Sequence, residues 1–173
     1  MFETPIEWNA PDSYPDLSKF KHVAIDLETR DPDLKSKGSG AVRQNGEIIG
    51  IALAVNEGGF KWSGYYPIGH RAGNLDKKFV LNYVKEICAA DNTKIFHNAM
   101  YDVSWLRSYN IPINGKIVDT MVMLSLIDEN RFWYSLNSAT WDYLKVKKDE
   151  TLLNEAAENA GIDPKAEMYK LPA

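Results

Sequence analysis

The sequence predicts an α/β fold: a mixed sheet of three antiparallel strands followed by parallel additions, flanked by helices. Two observations carry this prediction. Apolar strand-like segments joined by a glycine turn come first, and amphipathic helical segments then alternate with short apolar strands. A chain of 173 residues, 45% of them hydrophobic, can bury a sizeable core. The order βββαβαβα therefore indicates one mixed sheet with helices packed against it.

Three strands are expected in the first half of the chain. Residues 22–29 form a nearly continuous apolar run that ends in charged residues, which is typical of a buried strand. Residues 48–56 and 60–68 flank the turn signal Glu57-Gly58-Gly59, so they are predicted to form a hairpin. The intervening residues 30–47 are polar and contain glycine, which predicts a long surface loop.

Helices and short strands are expected to alternate in the second half. Residues 76–90 carry apolar side chains at the i, i+4, i+8 spacing of an amphipathic helix, and Cys88 continues that stripe as a small buried hydrophobe. Gly161 is the expected stop of the last helix. The further helices are predicted at residues 99–109, 119–128, 136–145 and 151–160, and the short strands at residues 94–97 and 113–118.

Composition excludes several classes of protein. The single cysteine rules out a disulfide framework and fits a reducing compartment such as the cytoplasm. No apolar stretch is long enough to span a membrane. A net charge of −4 argues against a protein that coats nucleic acid through a basic face, but not against an enzyme that binds a strand end through metal ions. Residues 1–20 are expected to be an extended lead-in, and residues 21–173 the domain.

Asp26 and Glu28 are the first candidate site residues. Alternate residues of a strand point to the same face, so the two carboxylates are expected side by side where the apolar run ends. Hard divalent cations such as Mg²⁺ take oxygen ligands, and burial of two acids without a counter-ion would be costly. The alternative is a solvated strand end that continues into the 30–47 loop.

A second candidate lies in residues 94–106, where a short apolar strand meets a polar corner and a helix begins. Asn98 and Asp102 are four residues apart, so they share a helix face near its N-terminus. Asp102 joins Asp26 and Glu28 if this strand lies next to the first. Alternatively, Asn98 caps the helix and Asp102 stabilises its positive end; the two interpretations are compatible.

These segments resemble a known family. The first motif is Ile25-Asp26-Leu27-Glu28-Thr29, and the second is His97-Asn98-Ala99-Met100-Tyr101-Asp102. With the order and spacing of the other elements over residues 20–145, they resemble the 3′–5′ proofreading exonuclease domain of family A DNA polymerases. That domain belongs to the DEDD exonuclease superfamily and has a ribonuclease-H-like fold. The resemblance also suggests a phage polymerase as the source.

The resemblance implies roles for six residues. Asp26, Glu28 and Asp102 correspond to three of the family's four metal-binding carboxylates, for Mg²⁺ or Mn²⁺. Leu27 and Thr29 correspond to positions that touch the terminal nucleotide, and Asn98 to a residue near the substrate strand. Asp119 also fits the family pattern, but its place before Thr120 favours an N-cap of the next helix over a metal ligand.

The family's third motif is missing from this sequence. It is Tyr-x-x-x-Asp or His-x-x-x-x-Asp on a later helix, and neither pattern occurs after Asp102. The motif supplies the last carboxylate and the group that positions the attacking water. We therefore expect an exonuclease-like domain without its final motif helix, with weak or absent activity as an isolated chain.

The expected reaction is two-metal hydrolysis of the terminal phosphodiester of DNA to nucleoside monophosphates. The expected partners are a single-stranded DNA 3′ end and the rest of a polymerase polypeptide, with no membrane. The alternative is a non-catalytic fragment that binds nucleic acid or docks onto a split polymerase. Two groups of residues are ambiguous between nucleic-acid contact and a structural role: the loop cations Lys35, Lys37 and Arg43, and the strand aromatics Trp62, Tyr65 and Tyr66.

Overall fold

A computed structural model of the chain describes residues 9–173, and residues 1–8 of the predicted lead-in lie outside this range. Five strands form one sheet with the order β3-β2-β1-β4-β5. The strands are β1 (His22–Arg30), β2 (Glu47–Glu57), β3 (Phe60–Pro67), β4 (Thr93–Phe96) and β5 (Ile117–Asp119). The helices are α1 (Leu34–Lys37), α2 (Gly40–Arg43), α3 (Lys77–Ala89), α4 (Ala99–Ser108), α5 (Thr120–Ile127), α6 (Leu136–Leu144) and α7 (Thr151–Ala160), followed by a 3₁₀ turn at Met168–Lys170.

The sheet has the predicted mixed topology. β1, β2 and β3 pair antiparallel, whereas β4 pairs parallel with β1 and β5 pairs parallel with β4. The β2–β3 hairpin turns at Gly58 and Gly59, whose φ angles of 61° and 82° suit a two-residue turn that matches the strand twist. The prediction of three antiparallel strands followed by parallel additions is confirmed.

The hydrophobic core lies on one face of this sheet. Alternate residues of β1, namely Val23, Ile25 and Leu27, point into it and are almost completely buried. They share the core with the apolar stripe of α3, which includes Cys88, and with Trp105 and Leu106 of α4. The expectation that Cys88 is a small buried hydrophobe is confirmed, and burial raises the pKa of its thiol to about 11.

Two of the predicted segments differ from the structure. Residues 30–47 are not an open loop, because they contain α1 and α2. The buried Asp31 carboxylate folds this segment by accepting the Gly40 N–H at 2.9 Å and lying 3.5 Å from the Arg43 guanidinium. The strand predicted at 113–118 is shortened to β5, because Gly115 turns the chain with a φ of 74° directly against the Asn92 backbone.

The described part of the lead-in, residues 9–20, contains no helix or strand but packs on the domain. Leu17 is fully buried, and the Tyr14 ring stacks on Tyr66 with 5.2 Å between centroids. The Tyr83 hydroxyl also donates to the Pro15 carbonyl at 2.7 Å. This segment therefore contributes to the core. No helix within residues 9–173 has the length and apolar character that crossing a membrane would need.

Lys94 is a fully buried lysine at the start of β4. Its ammonium donates to the carbonyls of Ala90, Asn92 (3.2 Å) and Asn114 (2.9 Å), so it joins the end of α3 to the turn before β5. Burial lowers the pKa of this lysine. The side chain serves the fold and not the candidate site.

Replacing Lys94 with methionine is expected to destabilise the protein by about 2–4 kcal/mol, because three backbone carbonyls lose the charged donor that the buried lysine supplies. Urea unfolding measures this loss. Lys116→Met is the control, since that side chain is exposed and its removal is expected to cost less than about 0.5 kcal/mol. Equal midpoints for the two variants would show that Lys94 has no structural role.

Candidate active site

The first two carboxylates lie where the β1 sequence places them. Leu27 points into the core, so Asp26 and Glu28 both project from the opposite face of the sheet. On the neighbouring strand β2, Asp26 is opposite Ala52 and Glu28 is opposite Gly50. Because these neighbours are so small, β2 side chains do not cover the two acids.

Asp102 reaches the same strand from helix α4. It lies in the first turn of α4 and is only 4% exposed, and its Oδ1 accepts the Leu27 N–H at 3.0 Å. Leu27 is the residue between Asp26 and Glu28, so the third carboxylate is attached to the strand between the other two. The parallel pairing of β4 with β1 causes this approach, since α4 begins three residues after β4 ends.

Burial raises the pKa values of all three acids, and the charge of a neighbouring acid adds to this at Glu28 and Asp102. For Asp102, burial and then the Asp26 charge raise the pKa to about 7, although the Leu27 N–H opposes the change. For Glu28, burial and then the Asp26 charge raise the pKa. Burial also raises the pKa of Asp26, which remains accessible but lines a concave surface; Lys148 and His97 oppose that shift.

This donor set fits a hard divalent cation by its chemistry. It consists of carboxylate oxygens, which Mg²⁺ and Mn²⁺ prefer, and its negative charges are incompletely compensated by the surrounding protein. Within residues 9–173, however, no three acidic, histidine or cysteine side chains are already grouped closely enough to hold an ion. Binding of a cation would therefore require the three side chains to come closer together than they are in this structure.

Asn98 and Asp119 form the corner below these acids. Asn98 occupies the N-cap position of α4, as the alternative interpretation has it, with a left-handed φ of 69°, but its side chain makes no capping hydrogen bond. Asp119 does this instead: its carboxylate accepts the N–H groups of Asn98 (3.0 Å) and Ala99 (2.8 Å).

Asp119 also caps its own helix, as predicted. The same carboxylate accepts the N–H groups of Met121 at 2.9 Å and Val122 at 3.4 Å, the first turn of α5. Although burial alone raises the pKa of this carboxyl, the four N–H donors outweigh it and the pKa is lowered. With both oxygens engaged by the backbone, the structure favours the N-cap interpretation over the metal-ligand alternative.

Leu27 and Thr29 line a cleft beside the acids. The cleft measures about 470 Å³, and Tyr101 and the loop residue Lys35 also contribute to its walls. Tyr101 donates to the Asp31 carboxylate at 3.3 Å, and its oxygen lies 2.6 Å from the Thr29 hydroxyl. Sequence reasoning assigned no role to Tyr101, although it stands within the second motif next to Asp102.

The ambiguous cations and aromatic residues have different roles in the structure. Arg43 is directed to Asp31, Asp33 and the Gly38 carbonyl, and Lys37 pairs with Asp33 at 3.1 Å; only Lys35 of this group lines the cleft. Tyr66 is buried in the core and Trp62 packs against it, whereas Tyr65 lies on the face that carries Asp26. Sequence reasoning also missed Lys148, whose charge acts on Asp26 and Glu28 from the segment between α6 and α7.

The fold is that of the ribonuclease-H-like exonucleases, as solved structures show. Brucella melitensis NrnC with bound Mg²⁺ is similar with a TM-score of 0.58 and 17% identity, over 83% of this chain and 62% of that chain. NrnC bound to pGG gives a TM-score of 0.56 and 19% identity, over 78% of this chain and 57% of that chain.

The sequence comparison assigns the family. The profile of the 3′–5′ exonuclease family matches residues 10–168, and the chain belongs to that family. The DNA-directed DNA polymerase of Pseudomonas phage M6 is 37% identical to it over 179 residues, covering 96% of this chain. The chain spans only 26% of the length of that phage protein. The resemblance inferred from the two motifs is therefore confirmed.

Proposed function

We propose that this chain is the proofreading 3′–5′ exonuclease domain of a larger DNA polymerase polypeptide. The reaction is hydrolysis of the terminal phosphodiester of a single-stranded DNA 3′ end, which releases a nucleoside monophosphate. Family membership and the similarity to a longer phage polymerase support this function. The observation that carries it is the hydrogen bond from the Leu27 N–H to Asp102, because it brings a third acid to the strand segment between Asp26 and Glu28.

Asp26, Glu28 and Asp102 are the proposed ligands of Mg²⁺ or Mn²⁺. When bound, such ions activate water and stabilise the leaving oxygen of a phosphodiester. The raised pKa values of the three acids support the assignment: burial makes their charged forms unfavourable, the Asp26 charge adds to this at Glu28 and Asp102, and a bound cation would relieve both effects. Lys148 partly balances this charge in the metal-free protein.

The cleft beside the acids is the proposed position of the terminal nucleotide. Leu27 and Thr29 touch the nucleotide there, and Tyr101, which contacts Thr29 and donates to Asp31, joins β1 to the loop that lines the cleft. Asn98, exposed at the start of α4, lies near the strand. Lys35 at the rim of the cleft attracts the phosphate backbone.

Activity of the isolated chain is proposed to be weak or absent. The 173 residues contain no Tyr-x-x-x-Asp after Asp102, so one ligand and the group that orients water are lacking; general acid–base groups typically contribute about 10²–10⁴-fold. The rest of the polymerase polypeptide supplies them. The single cysteine, which is buried, suits work in the cytoplasm.

Calorimetric titration of the 173-residue chain with Mn²⁺ tests the proposal. We expect the parent chain to bind Mn²⁺. Loss of a residue that only supports a metal ligand typically weakens metal binding by about 10–100-fold, so we expect Asp26→Asn, which removes a proposed ligand, to weaken it on the order of 100-fold. Asp12→Asn, at an exposed acid of the segment before β1, is the matched control and should bind Mn²⁺ as the parent chain does. A chain that takes up no Mn²⁺ favours the alternative, a non-catalytic docking fragment.

A nuclease assay completes the test. Single-stranded DNA and RNA of one sequence are incubated with Mn²⁺ and the chain, alone and together with the following segment of a polymerase supplied as a second polypeptide. We expect release of mononucleotides from the DNA 3′ end to rise when that segment is added. Strong digestion by the chain alone, abolished in Asp26→Asn, would uphold the nuclease and contradict the incomplete site.

A further inference from the structure

Tyr65 shares the sheet face that carries the candidate ligands. Strand pairing puts Asp26 opposite Ala52 and Ala52 opposite Tyr65, so the three residues form one row across β1, β2 and β3. Asp26 and Tyr65 also line one cavity of about 580 Å³ on this face. The alanine between them leaves space above β2 that a larger side chain would fill.

The Tyr65 ring uses this space by lying across Gly50. A Cβ placed on Gly50 would be 1.9 Å from the Tyr65 hydroxyl oxygen and 2.2 Å from its Cζ. Gly50 is the residue opposite Glu28, at a point where the β1–β2 register shifts. The Tyr65 hydroxyl therefore lies above Gly50, on the strand next to Glu28, although the Tyr65 backbone is one strand further away, in β3. Bulges of this kind commonly re-aim side chains next to active sites.

His70 holds the tyrosine in this position. Its Nε2 is 2.5 Å from the Tyr65 hydroxyl oxygen, and the imidazole is buried. The His70 backbone is fixed in turn by Asn74, which accepts the His70 N–H at 2.8 Å and donates to its carbonyl at 2.6 Å. Burial, then the charges of Glu28 and Asp26, raise the pKa of Tyr65, in keeping with its position on the face that carries both acids.

We propose that Tyr65 is a positioning residue that orients the Glu28 carboxylate, with His70 as its support. In the proposed arrangement His70 carries its proton on Nε2 and donates it to the tyrosine oxygen, and the phenolic hydrogen is directed at Glu28. Glycine at position 50 is required because any side chain there would separate the hydroxyl from the acid. The expected effect of Tyr65 on metal affinity rests on the proposed function. The proposed contact between the Tyr65 hydroxyl and the Glu28 carboxylate does not.

NMR of the metal-free chain labelled with [13Cδ]glutamate tests the contact directly. Glu28→Gln assigns the resonance. We expect that resonance to shift in Tyr65→Phe and in Gly50→Ala, which displaces the ring without removing the hydroxyl. Tyr66→Phe is the matched control, since its hydroxyl donates to the Ser13 carbonyl on the other face. An unchanged Glu28 signal in Tyr65→Phe, or an equal shift in Tyr66→Phe, overturns the proposal.

Mn²⁺ titration of the same variants separates this proposal from the proposed function. We expect Tyr65→Phe to lower Mn²⁺ affinity about 10-fold, within the range for outer-shell partners, and Tyr66→Phe to leave it unchanged. If the parent chain binds Mn²⁺ and Tyr65→Phe binds it equally well, the positioning role is refuted. If the Glu28 signal shifts but the parent chain binds no Mn²⁺, the contact is upheld and the exonuclease proposal fails.

Discussion

Asp102→Asn is expected to make the metal-free protein more stable at pH 8 while abolishing most of its affinity for Mn²⁺. Asparagine has the shape of aspartate and keeps an oxygen for the Leu27 N–H, but it carries no charge. The carboxylate it replaces is buried beside two other acids, where ionisation is unfavourable. Such opposite effects on stability and binding are typical of residues kept for function.

The pH dependence of this effect follows from the two pKa values of Asp102. Burial and the Asp26 charge raise the pKa of Asp102 from 3.8, its value in the unfolded chain, to about 7 in the folded protein. The stability that its protonated form provides is fully present below pH 3.8, declines as the pH rises, and is lost above about 7. The advantage of asparagine should therefore grow over this range to on the order of 2–4 kcal/mol.

Urea unfolding in EDTA at pH 4.5 and pH 8, repeated with Mn²⁺ at pH 8, measures both effects. Asp12→Asn, at an exposed acid of the segment before β1, serves as the control. Mn²⁺ should stabilise the parent chain but not Asp102→Asn, since only a ligand that binds the native state raises stability. A variant that is less stable than the parent chain at pH 8 in EDTA would contradict the crowding of charges at this site.

Asp119→Ala is expected to destabilise the protein by about 3 kcal/mol. One carboxylate serves the N–H groups at the starts of both α4 and α5, so its removal leaves four backbone donors without their acceptor. Because the folded pKa of Asp119 is lowered, its contribution is present above the unfolded value of 3.8 and is lost as the pH falls through the folded value.

Asp76→Ala is the matched control for this prediction. Asp76 is also an N-cap aspartate, but it accepts a single N–H, that of Phe79 at 2.7 Å. Its removal should cost about 1 kcal/mol, the usual value for an N-cap. Equal losses for the two variants in urea unfolding at pH 7 would show that Asp119 acts as an ordinary cap of α5 alone.

The sequence is informative wherever a property depends on residues within about four positions of each other. The alternation of β1 places Asp26 and Glu28 on one face, Asp119 precedes the helix that it caps, and Gly58-Gly59 forms the hairpin turn. Strand period, capping and turn conformation are all set by the local backbone. The prediction of an open loop at residues 30–47 was wrong because the fold of this segment depends on more distant residues. Asp31 folds it through partners nine and twelve residues away.

By itself, the sequence determined the order of strands and helices and the shared face of Asp26 and Glu28. It also contained the family motif that identified Asp102 as the third acid. Only the tertiary structure decided how Asp102 meets the Leu27 N–H, 75 residues away, and how Tyr65 comes to lie over Gly50. Those relations depend on which strands pair and in which register. That choice is made by the packing of the whole chain, so no local pattern encodes it.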